Sequence, residues 1–414
     1  MANYNQFAFL ENGKLDRFDP ASFVPGSFNL WFPFIEFERP CRLGEALWRY
    51  VGNDMREGDQ QMFYTFFHEY LHLVQSAMYF VCQLPILLTH QIIHDIRVTA
   101  IKRGNGGCLL PIIHSEEFVT LCKLFNEEFA SESVLLHQET NKKFSVVNIA
   151  EGVARLLEEA FRGHVVETDN YRYTAIRDLN AFFLHERALN HRQLLDVCDV
   201  SLRRRKPAKT FVEILQALSK CGQNIEKFDF ESISTLADEL GCEFVQSGAN
   251  VVALDTDRMF NSPIFAHYVR HIKSLYLGLP KCFTEGAVLS PIFDEVVQDN
   301  GAGLPTCMLR WIVTCGSTVI LNSAGEMELF DANKQYASPL DQNIVGIKAV
   351  VDSIIKCRHA CYLKQSCCRA NEFGNNLPVD EDCDSSPWRK QPIGGMVCPY
   401  SAIWKALGLD GFVP

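Results

Sequence analysis

The sequence predicts an α+β fold that is mostly α, in which a small N-terminal β element packs on a helical core with a helical extension. Three observations carry this. In "SFNLWFPFIEFE" the residues Phe28, Leu30, Phe32, Phe34, Ile35 and Phe37 alternate loosely with others, the period-two pattern of half-buried strands. Helical spacing of apolar residues dominates from residue 59 onward, as expected of amphipathic and buried helices. No fixed-period internal repeat is visible, which argues against a solenoid or propeller.

Taken in order, "QFAFLENGKLDRF" reads as two short strands around an Asn12-Gly13 turn. A short helix is expected over Leu43–Val51, then a long one from Asp59 to Cys82 that stops before Pro85, because the residue before a proline avoids helical geometry. Residues 86–102 and 115–130 read as helices separated by Gly104-Asn105-Gly106-Gly107. "HQETNKKFSVVN" is a loop or a short strand, and a second strong helix runs from Ile149 to Phe161, stopped near Gly163. Residues 175–300 are mostly helical, in segments such as "AIRDLNAFFLHERALNHRQLLDVC" and "SPIFAHYVRHIKSLYLGLP". Past residue 356 the character changes, since Cys357, Cys361, Cys367, Cys368, Cys383 and Cys398 crowd a turn-rich segment. The expected organisation is a core over 1–165, a helical extension over 166–355 and a cysteine-rich unit over 356–414.

Composition narrows the function classes. With 47% hydrophobic and 21% charged residues in 414, the chain is ordinary globular protein rather than a disordered one. A net charge of -11 argues against a nucleic-acid partner, because phosphate contacts need a basic surface. The one basic run, Arg203-Arg204-Arg205-Lys206, reads as a solvated loop before Pro207. No membrane span is expected, because the greasiest region, Met62–Ile93, is interrupted by His68, Glu69, His72, Gln75, Gln83 and Pro85. The N-terminal residues show no basic segment followed by an apolar core. Most of the 16 cysteines are scattered singly through periodic apolar segments, as buried free thiols are. A cytoplasmic location is therefore expected, with export by a non-Sec route as the alternative.

The chemistry concentrates in "FFHEYLHLVQ", residues 66–75. On a helix His68 and His72 stand one above the other on one face. Two imidazoles so placed can hold a tetrahedral Zn²⁺ through ring nitrogens about 2.0–2.1 Å away. Glu69, rotated about 100° from His68, points to the edge of that face, where it can serve as general base for a water rather than as a ligand. The spacing alone is cheap: His90/His94 and His267/His271 repeat it without the glutamate, and His185-Glu186 has the glutamate but no histidine in register. The complete H-E-x-x-H pattern occurs once. Phe66, Phe67, Leu71, Leu73 and Val74 make the helix apolar on nearly every side, so its polar groups need a partner.

A hydrolytic zinc site needs a third protein ligand, and Ile149-Ala150-Glu151-Gly152-Val153-Ala154-Arg155-Leu156-Leu157-Glu158-Glu159 is the best source. H-E-x-x-H followed by a later helix reading E-G-x-A-x-x-x-E resembles the gluzincin metallopeptidases, especially the peptidase-MA-like group. The resemblance covers about residues 60–165. It implies a zincin-like catalytic core, Zn²⁺ as cofactor, His68, His72 and Glu151 as metal ligands, and Glu69 as general base. Gly152 and Ala154 are expected to let this helix approach the first closely, and Glu158 to orient a ligand. Glu158, Glu159, His90 and His94 remain rival third ligands. The stretch between His72 and Glu151 is longer than in many gluzincins, so 86–145 is expected to be an insertion or lid. The metzincin alternative fails, because residues 73–78 carry no glycine and third histidine in register.

An oxyanion donor is also expected. Tyr171, Tyr173, His185, His267 and His271 are candidates, with His267 and Tyr268 the first choice. A strand within Phe28–Phe37 is a candidate to pair with extended substrate. The reading is thus a zinc-dependent hydrolase, specifically a metallopeptidase acting on a protein or peptide. The alternatives are a zinc-stabilised scaffold or regulator, and a metal or redox sensor built on the C-terminal cysteines. Those cysteines match no standard C-x2-C pair, yet their density and the terminal Cys398-Pro399 suit a second metal site or an iron–sulfur cluster, with His359 as a further candidate ligand. Free thiols in a loop-rich cap, or disulfides formed after export, are the other readings of this tail.

Overall fold

The computed structural model describes residues 26–28, 34–37, 43, 46, 49, 54, 56–104, 106–108, 134–137, 142–221, 228–283, 286–299, 305–315, 318–322, 327–329, 342–355, 359–361, 363–372, 374, 376–392 and 397–413. The Asn12-Gly13 turn, the helix expected over 115–130 and Cys357 lie outside these. The fold is α+β and mostly α. Strands β1 (Gly26–Phe28) and β2 (Phe34–Phe37) pair antiparallel. They do not form an N-terminal β element alone. β2 runs parallel to β6 (Val319–Asn322), which pairs antiparallel with β7 (Met327–Leu329), giving the order β1-β2-β6-β7. A sheet of two strands is marginal in water, and the distant segment supplies the further pairing that stabilises it.

Two other pairs are small. β3 (Gly107–Cys108) lies parallel to β8 (Phe412–Val413), and β4 (Val134–His137) pairs with β5 (Lys142–Phe144). The first joins the Gly-rich turn to residues near the C-terminal end. Gly106, at φ 78°, sits so close to the Gly411 carbonyl that no side chain would fit.

Helix α1 (Glu57–Met78) carries the H-E-x-x-H residues and packs on β1 and β2. It ends at Tyr79, not before Pro85, and α2 (Phe80–Arg103) follows with Pro85 inside it. The two are bent by 84° at that break. Tyr79 takes extended geometry (φ -114°, ψ 126°) and is 1% exposed, with its hydroxyl donating to Asp199 Oδ1 at 3.1 Å. Gln83 secures the break by donating to the Ala77 carbonyl at 3.0 Å and accepting from Gly248 N at 2.6 Å. Pro85 falls in the second turn, so it removes one early hydrogen bond rather than ending the helix.

Helix α3 (Val146–Arg162) starts at Ser145, where Asn148 reaches back to the Ser145 backbone N–H at 2.9 Å, and stops at Gly163 in left-handed geometry. It crosses α1 through Phe161, whose ring meets Tyr64 at 4.9 Å and Phe67 at 5.2 Å, both edge-on. Gly152 does not face α1. A Cβ there would stand 2.7 Å from Cδ1 and Cγ1 of Ile176 in α4 (Tyr171–Leu184), so the close approach is between α3 and α4. The residue 165 boundary therefore divides two helices that pack along each other.

Further helices surround this pair: α5 (His191–Leu202), α6 (Pro207–Lys220), α7 (Phe230–Glu239), α8 (Ala249–Met259), α9 (Ala266–Gly278), α10 (Leu289–Gln298), α11 (Thr306–Cys315) and α12 (Gln342–Ile355). Buried Asp199 of α5 accepts from the Val288 and Leu289 backbone N–H groups at 2.5 and 3.1 Å, satisfying the start of α10. Arg203 stands against the same carboxylate at 2.8 Å. Beyond residue 360 come α13 (Lys364–Glu372) and α14 (Pro399–Ala406), the latter packed on α12. Among the described residues no single helix is long and apolar enough to cross a membrane; α1 and α2 pass that test only as a bent pair.

Candidate metal centre

Helices α1 and α3 bring His68, His72 and Glu151 together, with one ligand atom from each lying within 4.8 Å of the others. The contact is specific in its atoms. Nε2 of His68 and Nε2 of His72 each stand 3.4 Å from the same Glu151 oxygen, Oε2. Ligands on a tetrahedral ion with bonds of about 2.0–2.1 Å stand ~3.3–3.4 Å apart. The spacing therefore suits one small cation with two nitrogen donors and one oxygen donor, a set also used for other divalent transition metals.

The remaining polar atoms of the three residues are held elsewhere. His68 Nδ1 donates to Glu158 Oε2 at 3.0 Å, and His72 Nδ1 donates to Gln75 Oε1 at 2.8 Å. Each of these bonds turns Nε2 towards the site. Gln75 is itself fixed across the helix pair, donating to the Ala150 carbonyl at 3.0 Å. Glu151 Oε1 pairs with Arg172 of α4, so Oε2 alone faces the histidines. Arg172 is placed by the α4 cap, in which the Asn170 side chain accepts from the Arg172 backbone N–H at 3.0 Å.

The carboxylates of α3 divide by role. Glu158 accepts from His68 and pairs with Arg155 Nη1 at 3.0 Å and Arg162 Nη2 at 2.5 Å. Glu159, a rival third ligand, is instead tied to Arg155 Nε at 3.2 Å, to Arg177 and to the Val166 backbone N–H. Burial opposes charge on Glu158 and Glu151, and the pairing overrides it. The Glu158 carboxyl is pulled down to about 2 despite burial, by its bond to His68 and by the charges of His68, Arg162 and Arg155. Glu151 is likewise held well below the usual carboxylate range against burial, by His72, Arg172 and His68. Burial lowers His68, but its bonds to Glu151 and Glu158, with Glu69 nearby, push it up to about 10.

Glu69 is 7% exposed beside this group, close enough for its charge to act on both His68 and Tyr173. Tyr173 sets its ring edge-on to His68, with centroids 6.0 Å apart, and beneath the Arg155 guanidinium. Its phenol is pushed up by burial first, then by Glu151, Glu69 and Glu158, so it stays a hydrogen-bond donor. Tyr268, the first-choice oxyanion donor of the sequence reading, is elsewhere. Its hydroxyl lies 3.5 Å from His90 Nε2, and His90 Nδ1 stands 2.9 Å from Asp255 Oδ2. His267 precedes Tyr268 on α9, and His271 is buried one turn further on. His90 is engaged in that separate group, and His94 is exposed on α2. His185 ends α4 at φ 49°, and Tyr171 begins that helix.

Gln75, Arg155, Arg162, Arg172 and Arg177 were not singled out from the sequence. Gln75 was accessible to it, one turn after His72 on the same helix face. The arginines of α4 become partners only through its packing on α3. Comparison with models of known protein families, with curated proteins and with solved structures finds no match to this chain.

Proposed function

We propose that the chain is a zinc-dependent hydrolase with a zincin-like core, acting as a peptidase, in which His68, His72 and Glu151 hold the metal. The observation that carries this reading is the convergence of two Nε2 atoms on one Glu151 oxygen at 3.4 Å, with each Nδ1 tied off behind. Sheet, H-E-x-x-H helix and glutamate helix in that spatial relation support the zincin-like comparison.

A zinc ion held there supplies Lewis acidity, which polarises a carbonyl and brings the pKa of a water towards ~7. The protein's own groups do the rest. Glu69 takes a proton from the attacking water onto its carboxylate and returns it to the leaving amine. Tyr173, a neutral donor at the same edge, hydrogen-bonds the oxygen on which charge develops. Glu158 and Gln75 hold the imidazole rings, and Arg172 holds Glu151. Strand β1, packed beside α1 and outermost in the sheet among the described residues, is the candidate to pair with an extended peptide.

The test combines metal content with turnover. Wild type should retain about one zinc per chain, His68→Ala and Glu151→Ala should lose it, and Glu69→Gln should keep it. Against a peptide library, wild type should cleave and Glu69→Gln should not. Full metal retention by Glu151→Ala refutes the ligand set; a zinc-loaded wild type that cleaves nothing refutes the peptidase reading alone.

A further inference from the structure

The cysteine-rich segment contains a second constellation, remote from the histidines in sequence and drawn from three separate stretches. Cys361 precedes α13, Cys367 lies within it, Cys383 sits in the one-turn helix Asp382–Ser385, and Cys398 caps α14. None of the four is in a disulfide, and they are between 3% and 8% exposed. Cys368, adjacent in sequence to Cys367, is exposed. The fold draws the four together. The Cys361 backbone N–H donates to the Cys383 carbonyl at 2.6 Å, and every pair among the four is close enough to interact electrostatically. We propose that Cys361, Cys367, Cys383 and Cys398 ligate a [4Fe–4S] cluster.

Two features favour this over four inert core thiols. Among the other described cysteines, Cys82, Cys198 and Cys307 lie singly on α2, α5 and α11 and Cys282 meets Cys315 as a pair, whereas these four gather from three segments. The site also contains a buried cation. Lys390, 2% exposed, lies with Nζ 3.0 Å from Cys383 Sγ while bonding the Pro378 carbonyl at 2.5 Å and Asp380 at 2.9 Å. An ammonium donor on a cysteine sulfur is the kind of hydrogen bond that tunes a cluster's potential.

Spacing distinguishes a cluster from a single zinc ion. Thiolates on one zinc, with bonds of about 2.3 Å, stand ~3.8 Å apart. Among the described residues the group whose ligand atoms all fall within 4.8 Å is His68, His72 and Glu151, and no three of these cysteines form another. A cubane gives each thiolate its own iron, so its four ligands stand wider than around one ion. Trp388, Trp404 and Tyr400 are buried in the same part of the chain, with the two indoles 5.9 Å apart and the Tyr400 phenol close enough for Cys361 and Cys398 to act on it.

The experiment uses the full chain, purified without oxygen and reconstituted with ferrous iron and sulfide under reducing conditions. Iron, acid-labile sulfide and visible absorption are measured, with circular dichroism as the control for folding. The expected result is about four iron and four sulfide per chain, with the visible band lost on chelation. Cys367→Ser and Cys383→Ser should each reduce both by about tenfold or more. Cys368→Ser and Cys307→Ser should retain them, and so should His68→Ala, which separates this site from the histidine centre. Lys390→Met should keep the iron and lower the reduction potential. Folded wild type that takes up no iron and sulfide overturns the proposal. So does zinc without labile sulfide that is lost in Cys383→Ser.

Discussion

Gly152→Ala tests whether the α3–α4 contact holds the site together, and its effect can be worked from the structure. The new methyl would stand 2.7 Å from both Cδ1 and Cγ1 of Ile176 and 3.2 Å from its Cγ2. Ordinary carbon contacts begin at about 3.5 Å, so the helices must part or Ile176 must leave its rotamer. Ile176 is 0% exposed and stiff at χ1, so little relief is available. Overpacking of this kind costs about 1–3 kcal/mol. Replacing glycine by alanine within a helix returns about 1 kcal/mol, so a cost in the upper part of that range, about 2–3 kcal/mol, leaves a net loss of about 1–2 kcal/mol. Urea unfolding should show that loss. In an Ile176→Ala background, where all three clashing atoms are gone, the same Gly152→Ala change should be stabilising, because it fills space and favours the helix. The sign change is the diagnostic result. A neutral or stabilising Gly152→Ala in the wild-type background would refute the argument. Because α4 carries Arg172 onto Glu151, the single variant should also bind zinc more weakly while still folded.

Other outcomes follow from individual contacts. Glu158→Gln removes the carboxylate behind His68 Nδ1 and should weaken zinc binding 10- to 100-fold in chelator competition; unchanged affinity would remove Glu158 from the site. Its thermal midpoint should fall as well, since Arg155 and Arg162 lose an anionic partner, so affinity must be read on folded protein. Tyr173→Phe should lower kcat by about 10²–10³ with zinc content unchanged, whereas Tyr268→Phe should leave kcat intact. Asp196, 1% exposed, is pushed up to about 6, mainly by burial, with Ser290 and Arg192 pulling the other way. Its stability contribution is complete below the ordinary carboxylate pKa of ~3.8 and is lost as pH rises through 6. Asp196→Asn should therefore stabilise the fold at pH 8 by at most about 3 kcal/mol and have no effect near pH 4; equal effects at both would refute the assignment.

Which parts of this structure could be read from the sequence follows from how local each signal is. His68, Glu69 and His72 were legible because helical spacing alone decides that the two imidazoles share a face. Glu158 was legible for a related reason, two turns beyond Glu151 on the same side of α3. Local signals also misled. Pro85 predicts a helix end, yet the chain turns at Tyr79, because a hydroxyl bond to Asp199 and a Gln83 side chain that accepts from Gly248, both partners distant in sequence, hold the break there. Residues in β1 and β2 read correctly as strands, but nothing near them announces β6, whose pairing is set by tertiary structure. Tyr268 was chosen because it lies with histidines on an apolar helix. That pattern is equally what a buried Tyr268–His90–Asp255 group requires, and the same physics, buried polar groups seeking partners, produces both. Arg172 and Tyr173 were the harder residues, since a short polar stretch before α4 gives no sign that α4 will lie along α3. The candidate metal centre is therefore written in two layers. The residues that could hold an ion sit on two helices whose spacing is local. The groups that hold Glu151 in place and line its edge come from a third helix, whose approach depends on Gly152 having no side chain.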